Sequence, residues 1–379
     1  MTCHPAASLS SFLDSCQGRV MVLKITSHIA LPLLLLTAFS SQAVEIVNKD
    51  GNRLFLNGRV NVSRYMTENT SLAGDVSWAR FGLTGDTRIT ESLTGFGSWQ
   101  QQFNLKYPEG TGCGERTRLG YAGIKHTDWG SIDYGRNYGV IFDALSFTDR
   151  LPKSGADSAY FDTFMSSRIT GALTYRQSDF FNLIKGLNIA LQYQGKHDRD
   201  NIRYANGEGY GIATTYKMDN GLGWALTIAS HKRTALQNAS PYGKGKRADT
   251  WALAMQYDAN NIYLAALYGE RHRSAPIVVP VEDKKIAGFA NDSRNLELVA
   301  QYQFDNGFRP SLGYVSSKAK HIEGIGDADL FNYLSVGYFY YFNANMNTYA
   351  DYKVNFIKKD HPLAVASEDI FAVGLNFQF

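Results

Sequence analysis

From Leu54 onward, apolar side chains recur at every second position, and no other feature of the chain constrains its fold as strongly. Leu54, Leu56, Val60 and Val62 share one parity, while Arg53, Asn57, Arg59, Asn61 and Ser63 occupy the other. The pattern returns in Leu187, Ile189, Leu191 and Tyr193, in Leu222, Trp224, Leu226 and Ile228, and in Phe371, Val373, Leu375, Phe377 and Phe379. A period of two is that of a β-strand, whose side chains leave alternate faces. The chain therefore predicts strands that are oily on one face and polar on the other. A soluble sandwich alternates in the same way, so the connections between strands have to decide.

Short turn signals stand at Asp219-Asn220-Gly221, Asp258-Ala259-Asn260-Asn261, Asp305-Asn306-Gly307 and Asn343-Ala344-Asn345, the last three directly after Tyr257, Phe304 and Phe342. They are 39, 47 and 38 residues apart, and Phe379 lies 36 beyond Asn343, so one strand pair with its long loop takes about 40 residues. Weaker signals near Thr90, Asp128 and Phe181 continue the spacing backward. Seven turns on one side, with both chain ends there, imply eight long loops opposite and 16 strands. Strands of about 10 residues in that number match an outer-membrane barrel. The fold class expected is thus all-β, a 16-stranded antiparallel transmembrane β-barrel over residues 44–379, with no second domain. Closure is required in lipid, because an open edge would leave backbone groups unpaired. A barrel this wide is not filled by side chains, so its polar face borders water. One interval, Asp128 to Phe181, is 53 residues long. Its excess falls within Ala144 to Tyr160, part of a loop at about 141–165, and periodicity leaves open whether that loop folds inward or projects outward.

Composition agrees with this reading. With 44% hydrophobic and 19% charged residues the 379-residue chain is no disordered polymer, and a net charge of +3 makes no case for nucleic acid. The one dense apolar run, Ile29 to Phe39, is 11 residues long, too short for a membrane helix. It follows Lys24 and precedes Ser41-Gln42-Ala43, the order of a secretory signal, so residues 1–43 are expected to be an N-terminal extension and signal peptide cleaved after Ala43, with Met1 or Met21 as the start. Cleavage removes Cys3 and Cys16 and leaves Cys113 alone in a Gly-rich loop, which excludes an internal disulfide. The histidines at His126, His197, His231, His272, His321 and His361 are scattered and no Gly-x-Ser-x-Gly elbow occurs, so no enzyme is predicted, nor any cofactor or metal. Glu323, Asp327 and Asp329 lack a calcium-loop spacing and read as solvated acids.

At this point the residues become recognisable. The opening Glu45-Ile46-Val47-Asn48-Lys49-Asp50-Gly51-Asn52, the segments Tyr134-Gly135-Arg136-Asn137-Tyr138-Gly139-Val140 and Tyr257-Asp258-Ala259-Asn260-Asn261-Ile262-Tyr263-Leu264-Ala265, and the loop Glu323-Gly324-Ile325-Gly326-Asp327 occur in order. Over Val44 to Phe379 the chain resembles the trimeric general porins of enterobacterial outer membranes, the osmoporin and matrix-porin family. The resemblance implies a homotrimer in the Gram-negative outer membrane, each barrel with its own pore for small hydrophilic solutes and ions, and a third long loop folded into the lumen. It also implies contacts with lipopolysaccharide, for which Lys244, Lys246 and Arg247 are loop candidates, and recognition of the C-terminal strand, ending in Phe379, by the barrel assembly machinery.

By the same likeness Arg59, Arg80, Arg118 and Arg168 fall where the family places a basic cluster on the wall of the constriction. The family's inward loop carries a Leu-Pro-Glu-Phe-Gly-Gly-Asp pattern, whereas this chain reads Asp149-Arg150-Leu151-Pro152-Lys153-Ser154-Gly155-Ala156-Asp157. Asp149 and Asp157 survive, but the central acid has become Lys153, and a wall position often Glu in the family is Gln100, after Trp99. The balance of these groups, +3 before Arg150 is counted, predicts a weakened cation preference. Glu109 and Arg136 are candidates for an inter-subunit latch. A sugar- or anion-specific channel is the alternative. Trp99, Tyr121 and Trp224 fall on the outward parity or are not placed inside by it, so no file of lumen aromatics emerges.

Overall fold

The computed structural model describes residues 43–109, 114–155, 157 and 162–379. Residues 1–42, where a signal peptide is expected, and Cys113 lie outside the described residues. In chain order the strands are β1 (Val44–Lys49), β2 (Asn52–Met66), β3 (Gly74–Asp75), β4 (Trp78–Arg88), β5 (Leu93–Asn104), β6 (Glu115–His126) and β7 (Gly130–Tyr138). After the third long loop come β8 (Arg168–Gln177), β9 (Leu187–Gln194), β10 (Gly209–Lys217), β11 (Leu222–Lys232), β12 (Arg247–Ala259) and β13 (Ile262–His272). A hairpin of β14 (Pro276–Val281) and β15 (Lys284–Phe289) then precedes β16 (Asp292–Tyr302), β17 (Phe308–Ile322), β18 (Gly326–Tyr341), β19 (Met346–Asn355) and β20 (Ile370–Gln378).

Each long strand pairs antiparallel with its sequence neighbours, and β20 returns to β2, with Gln378 opposite Arg59 and Phe371 opposite Met66. Setting aside β1, β3 and the separate β14–β15 hairpin, 16 strands close the barrel. All seven anticipated turns are present, at the junctions β4–β5, β6–β7, β8–β9, β10–β11, β12–β13, β16–β17 and β18–β19. Asn260 and Asn261 illustrate why they form: φ values of +54° and +63° suit a two-residue hairpin, and asparagine tolerates that region. Neither β1 nor the β14–β15 hairpin was anticipated. β1 turns back at Asp50-Gly51 and pairs Val44 with Leu56, and its residues alternate too weakly to read as a strand.

Alternation has the physical consequence expected of a two-sided wall. In β12, Leu253 and Met255 are 42% and 59% exposed toward the membrane, while Ala252 and Ala254 on the inner face are buried. Among the described residues no helix is long and apolar enough to cross a membrane. Placing Arg at Leu253, midway along β12, should cost about 2–4 kcal/mol in urea-dependent refolding into vesicles, the depth-dependent cost of a charge on the lipid face. The same change at inward-facing Gln256 should cost well under half as much.

Candidate functional site

The described residues of the third long loop, 139–155, 157 and 162–167 between β7 and β8, run inside the barrel, so the question left open by periodicity is resolved inward. Its short helix α1 (Phe142–Leu145) and its flanks bury Val140, Ile141, Leu145, Phe147 and Met165 against a wall of small residues, among them Ala190, Ala213, Ala225 and Ala254. Burying such side chains is favourable by roughly 1.5–3 kcal/mol each, which makes the inward fold the stable one. The close approach explains two glycines. A Cβ at Gly211 would lie 2.5 Å from Val140, and one at Gly313 would lie 2.4 Å from Leu151.

Polar ties fix the loop's height in the lumen. Arg176 of β8 grips Asp143 with bonds of 2.8 and 3.1 Å. The Tyr263 hydroxyl donates to the Phe147 carbonyl at 2.5 Å, and the Gln301 amide donates to the Arg150 carbonyl at 2.7 Å. Thr148 donates to Glu297. Farther along, the Tyr333 hydroxyl donates to Asp157 at 2.6 Å, and Ser154 reaches Asp351 at 3.4 Å. The loop therefore crosses from β7 to the wall at β16–β19.

Facing it, four wall arginines stand on β2, β4, β6 and β8. Arg59 and Arg80 are opposite each other in register. Arg80 donates to the Gln102 side-chain carbonyl at 2.9 Å, and Arg118 donates to Gln100 at 3.0 Å and to Gln102 at 3.4 Å. Arg80 also lies 4.5 Å from the ring centre of Trp78, Arg59 lies 6.0 Å from it, and Arg168 lies 5.8 Å from Tyr138. Amide carbonyls and ring faces thus partner closely spaced guanidiniums, and Arg168 also pairs with Asp162 at 3.5 Å. Gln102, which alternation marks only as an inward polar residue, is the hub that sequence reasoning missed.

Asp149 and Arg150 are exposed to the lumen at the loop, and Arg150 sits 5.2 Å from the Tyr263 ring. Lys153 reaches across to β2. Its ammonium donates to Ser63 at 3.0 Å and lies 5.2 Å from the Tyr65 ring. Burial, helped by Arg59 and opposed by Asp351, pushes that ammonium down to about 8. Lys153 therefore adds to the basic face.

The remaining candidates separate. Arg136 is held by Asp162 and by the Thr117 carbonyl at 3.0 Å, while Glu109 is exposed beside residues outside the described set. Glu323 accepts from the Gly243 and Asn291 nitrogens and Asp327 pairs with Lys320 at 2.6 Å, so these acids serve loop packing; among the described residues no cluster suited to a metal occurs. Lys244, Lys246 and Arg247 are exposed. Trp99 is 46% exposed on the outer face as expected, and other aromatics enter the lumen. Trp78, Tyr65, Tyr138 and Tyr333 lie inside, each beside a cation, and Tyr121 stands near Phe96, Asp133 and Arg176. Cation pairing leaves no continuous stacking surface among them.

A closed strand wall, apolar outside and polar within, narrowed by a charged loop, defines a transmembrane channel of the outer-membrane barrel class. The model of the Gram-negative porin family matches residues 49–379, and the chain belongs to that family. It is 48% identical over 352 residues to outer membrane porin F of Escherichia coli K12, covering 91% of this chain and 96% of the relative. To the same organism's outer membrane porin PhoE it is 47% identical over 357 residues, covering 93% and 99%. The solved structure of Salmonella typhi OmpF in complex with daunomycin superposes with a TM-score of 0.82 at 40% identity, covering 89% of this chain and all of that one. The chain is a Gram-negative outer-membrane porin, a diffusion channel and not an enzyme.

Proposed function

We propose that passage through this porin is set by the inward loop facing the arginine wall, with Arg59, Arg80, Arg118 and Arg168 joined by Lys153 against Asp149 and Asp157. The observation that carries the reading is the Lys153 ammonium, 3.0 Å from Ser63 on the same strand as Arg59. A transverse arrangement of bases and acids orients dipolar solutes and favours hydrated ions over apolar molecules, while the surplus of bases shifts the preference from cations toward anions. In the cell the chain is exported by residues 1–43 and cleaved after Ala43, is assembled through its C-terminal strand by the barrel assembly machinery, and works as a homotrimer surrounded by lipopolysaccharide, with Glu109 and Arg136 at the subunit contact.

Reconstituted in a planar bilayer, the protein should give stable single-channel steps whose conductance rises in proportion to KCl concentration. Absence of current would overturn the constriction reading. Arg136→Ala should lower the temperature at which the native oligomer separates on a detergent gel and leave single-channel conductance unchanged. An unchanged transition would remove Arg136 from the subunit contact.

A further inference from the structure

Above the constriction, on the side of the long loops, the lumen is unexpectedly apolar. The hairpin β14–β15 folds over the mouth, pairing Ile277 with Gly288 and Pro280 with Lys285. Ile277 and Val279 are 3% and 2% exposed and pack on the wall with Ala319, Ile322 and Leu363. With one face of the hairpin anchored, Val278 and Pro280 border a cavity of about 960 Å³. Its other sides are supplied by Ile202, by Ile357 and Val365 from the β19–β20 connection, and at the floor by Tyr333, Lys353 and Asp157. This is the upper end of the size range of small-molecule sites, and its apolar walls are joined by charged groups of both signs. It also lies on the route to the arginine wall, since Asp157 belongs to the inward loop.

The charges select a sign. The acids bordering the cavity include Asp157, which accepts the Tyr333 hydroxyl at 2.6 Å, and Glu368, which accepts the Asn69 amide at 2.9 Å. Lys353 lies 4.0 Å from the Tyr333 ring centre with Asp157 and Asp351 nearby, and among the described hydrogen bonds its ammonium donates none. Lys285, also bordering the cavity, is likewise without a described bond. Bases outnumber acids around the cavity, Arg203, Arg271, Lys285 and Lys353 against Asp157, Asp200 and Glu368, so an entering carboxylate or sulfonate meets the more favourable field. We infer that this vestibule is a binding site for amphipathic organic anions, molecules with an aromatic or branched apolar body and one acidic group, held before they reach the constriction. The inference rests on the porin reading above and adds a binding step to what is otherwise free diffusion.

The test is single-channel recording with 4-biphenylcarboxylate added on the long-loop side, compared with acetate and with 4-(aminomethyl)biphenyl. Biphenylcarboxylate should block the ion current saturably, the amine should block at least fivefold more weakly, and acetate should not block. Val278→Asn together with Val365→Asn should weaken the block at least fivefold at unchanged KCl conductance, and Lys353→Gln should remove the advantage of the carboxylate over the amine. A conducting channel whose block does not saturate, treats amine and carboxylate alike, or survives the double substitution overturns the vestibule site alone. A protein that passes no current overturns the pore reading as well.

Discussion

Replacing Lys153 with glutamate is expected to lower the chloride-to-potassium permeability ratio roughly five- to tenfold, read as the shift of the zero-current potential under a KCl gradient. The substitution reverses one unit charge on the inward loop, 3.0 Å from Ser63 of β2. An ion about 7 Å away feels on the order of 0.6 kcal/mol per unit charge at the dielectric constant of water. Reversal acts with opposite sign on anion and cation, so the unscreened effect on their ratio is about four times that, and screening over a Debye length of about 10 Å at 0.1 M roughly halves it. About 1.2 kcal/mol remains, a little under tenfold. The wild-type ratio should also depend on pH. With the ammonium at about 8, Lys153 is mostly charged at pH 7 and loses its proton as pH rises toward 9, so chloride preference should fall over that interval while Arg59 and the other wall arginines stay charged. Lys153→Glu should abolish that inflection. A change below twofold, with the pH dependence retained, would show that Lys153 is screened and that the wall arginines alone set selectivity.

The barrel itself was legible because its two periods are physical. Lipid demands an apolar side chain at every second residue, and hairpin closure demands turn residues about every 40, so both leave marks in a single sequence. β1 escaped because Val44–Lys49 pairs through only five rungs and is interrupted by a bulge between Glu45 and Val47. The site was legible less evenly. The positions of Arg80 and Lys153 came from likeness to a family, and nothing in the parity of one strand states that Lys153 bends back to Ser63 on β2. Tyr333, Asp351 and Lys353 were missed because they lie about 180 residues or more beyond the loop they hold, and contacts of that range leave no local pattern. One overlooked signal was available. Inward positions of β8 to β13 hold Ala172, Ala190, Ala213, Ala225, Ala252, Ala254 and Ala265, a patch of methyl groups where a solvated wall would be polar. Small inward residues on adjacent strands announce that something packs upon them, and the apolar side chains of the third loop are what does.

Deleting residues 370–379 is expected to abolish the folded barrel altogether, with no heat-modifiable band after refolding in detergent and no channel activity. The reason is that β20 is the closing strand. It pairs with β19 from Met346 to Lys353 and with β2 from Arg59 to Met66, so its loss creates two edges of about eight residues. About eight backbone groups on each edge would then face the membrane, and each unpaired group in hydrocarbon costs several kcal/mol. The total, tens of kcal/mol, exceeds the roughly 5–15 kcal/mol by which folded domains are stable. A finer change separates closure from the terminal ring. The Phe379 amide and carbonyl bond to Gly58 at 3.0 and 2.8 Å, and its ring covers Gly58 on the outer face, 6.3 Å from Phe81 and 5.8 Å from Phe377. A Cβ at Gly58 would stand 2.4 Å from that ring, so Gly58→Val must displace the ring while both backbone bonds remain available. This variant should fold and conduct with a lower melting temperature. Wild-type stability in Gly58→Val would show that the terminal ring contributes nothing to closure, and a conducting barrel from the truncated chain would show that β20 is dispensable to it.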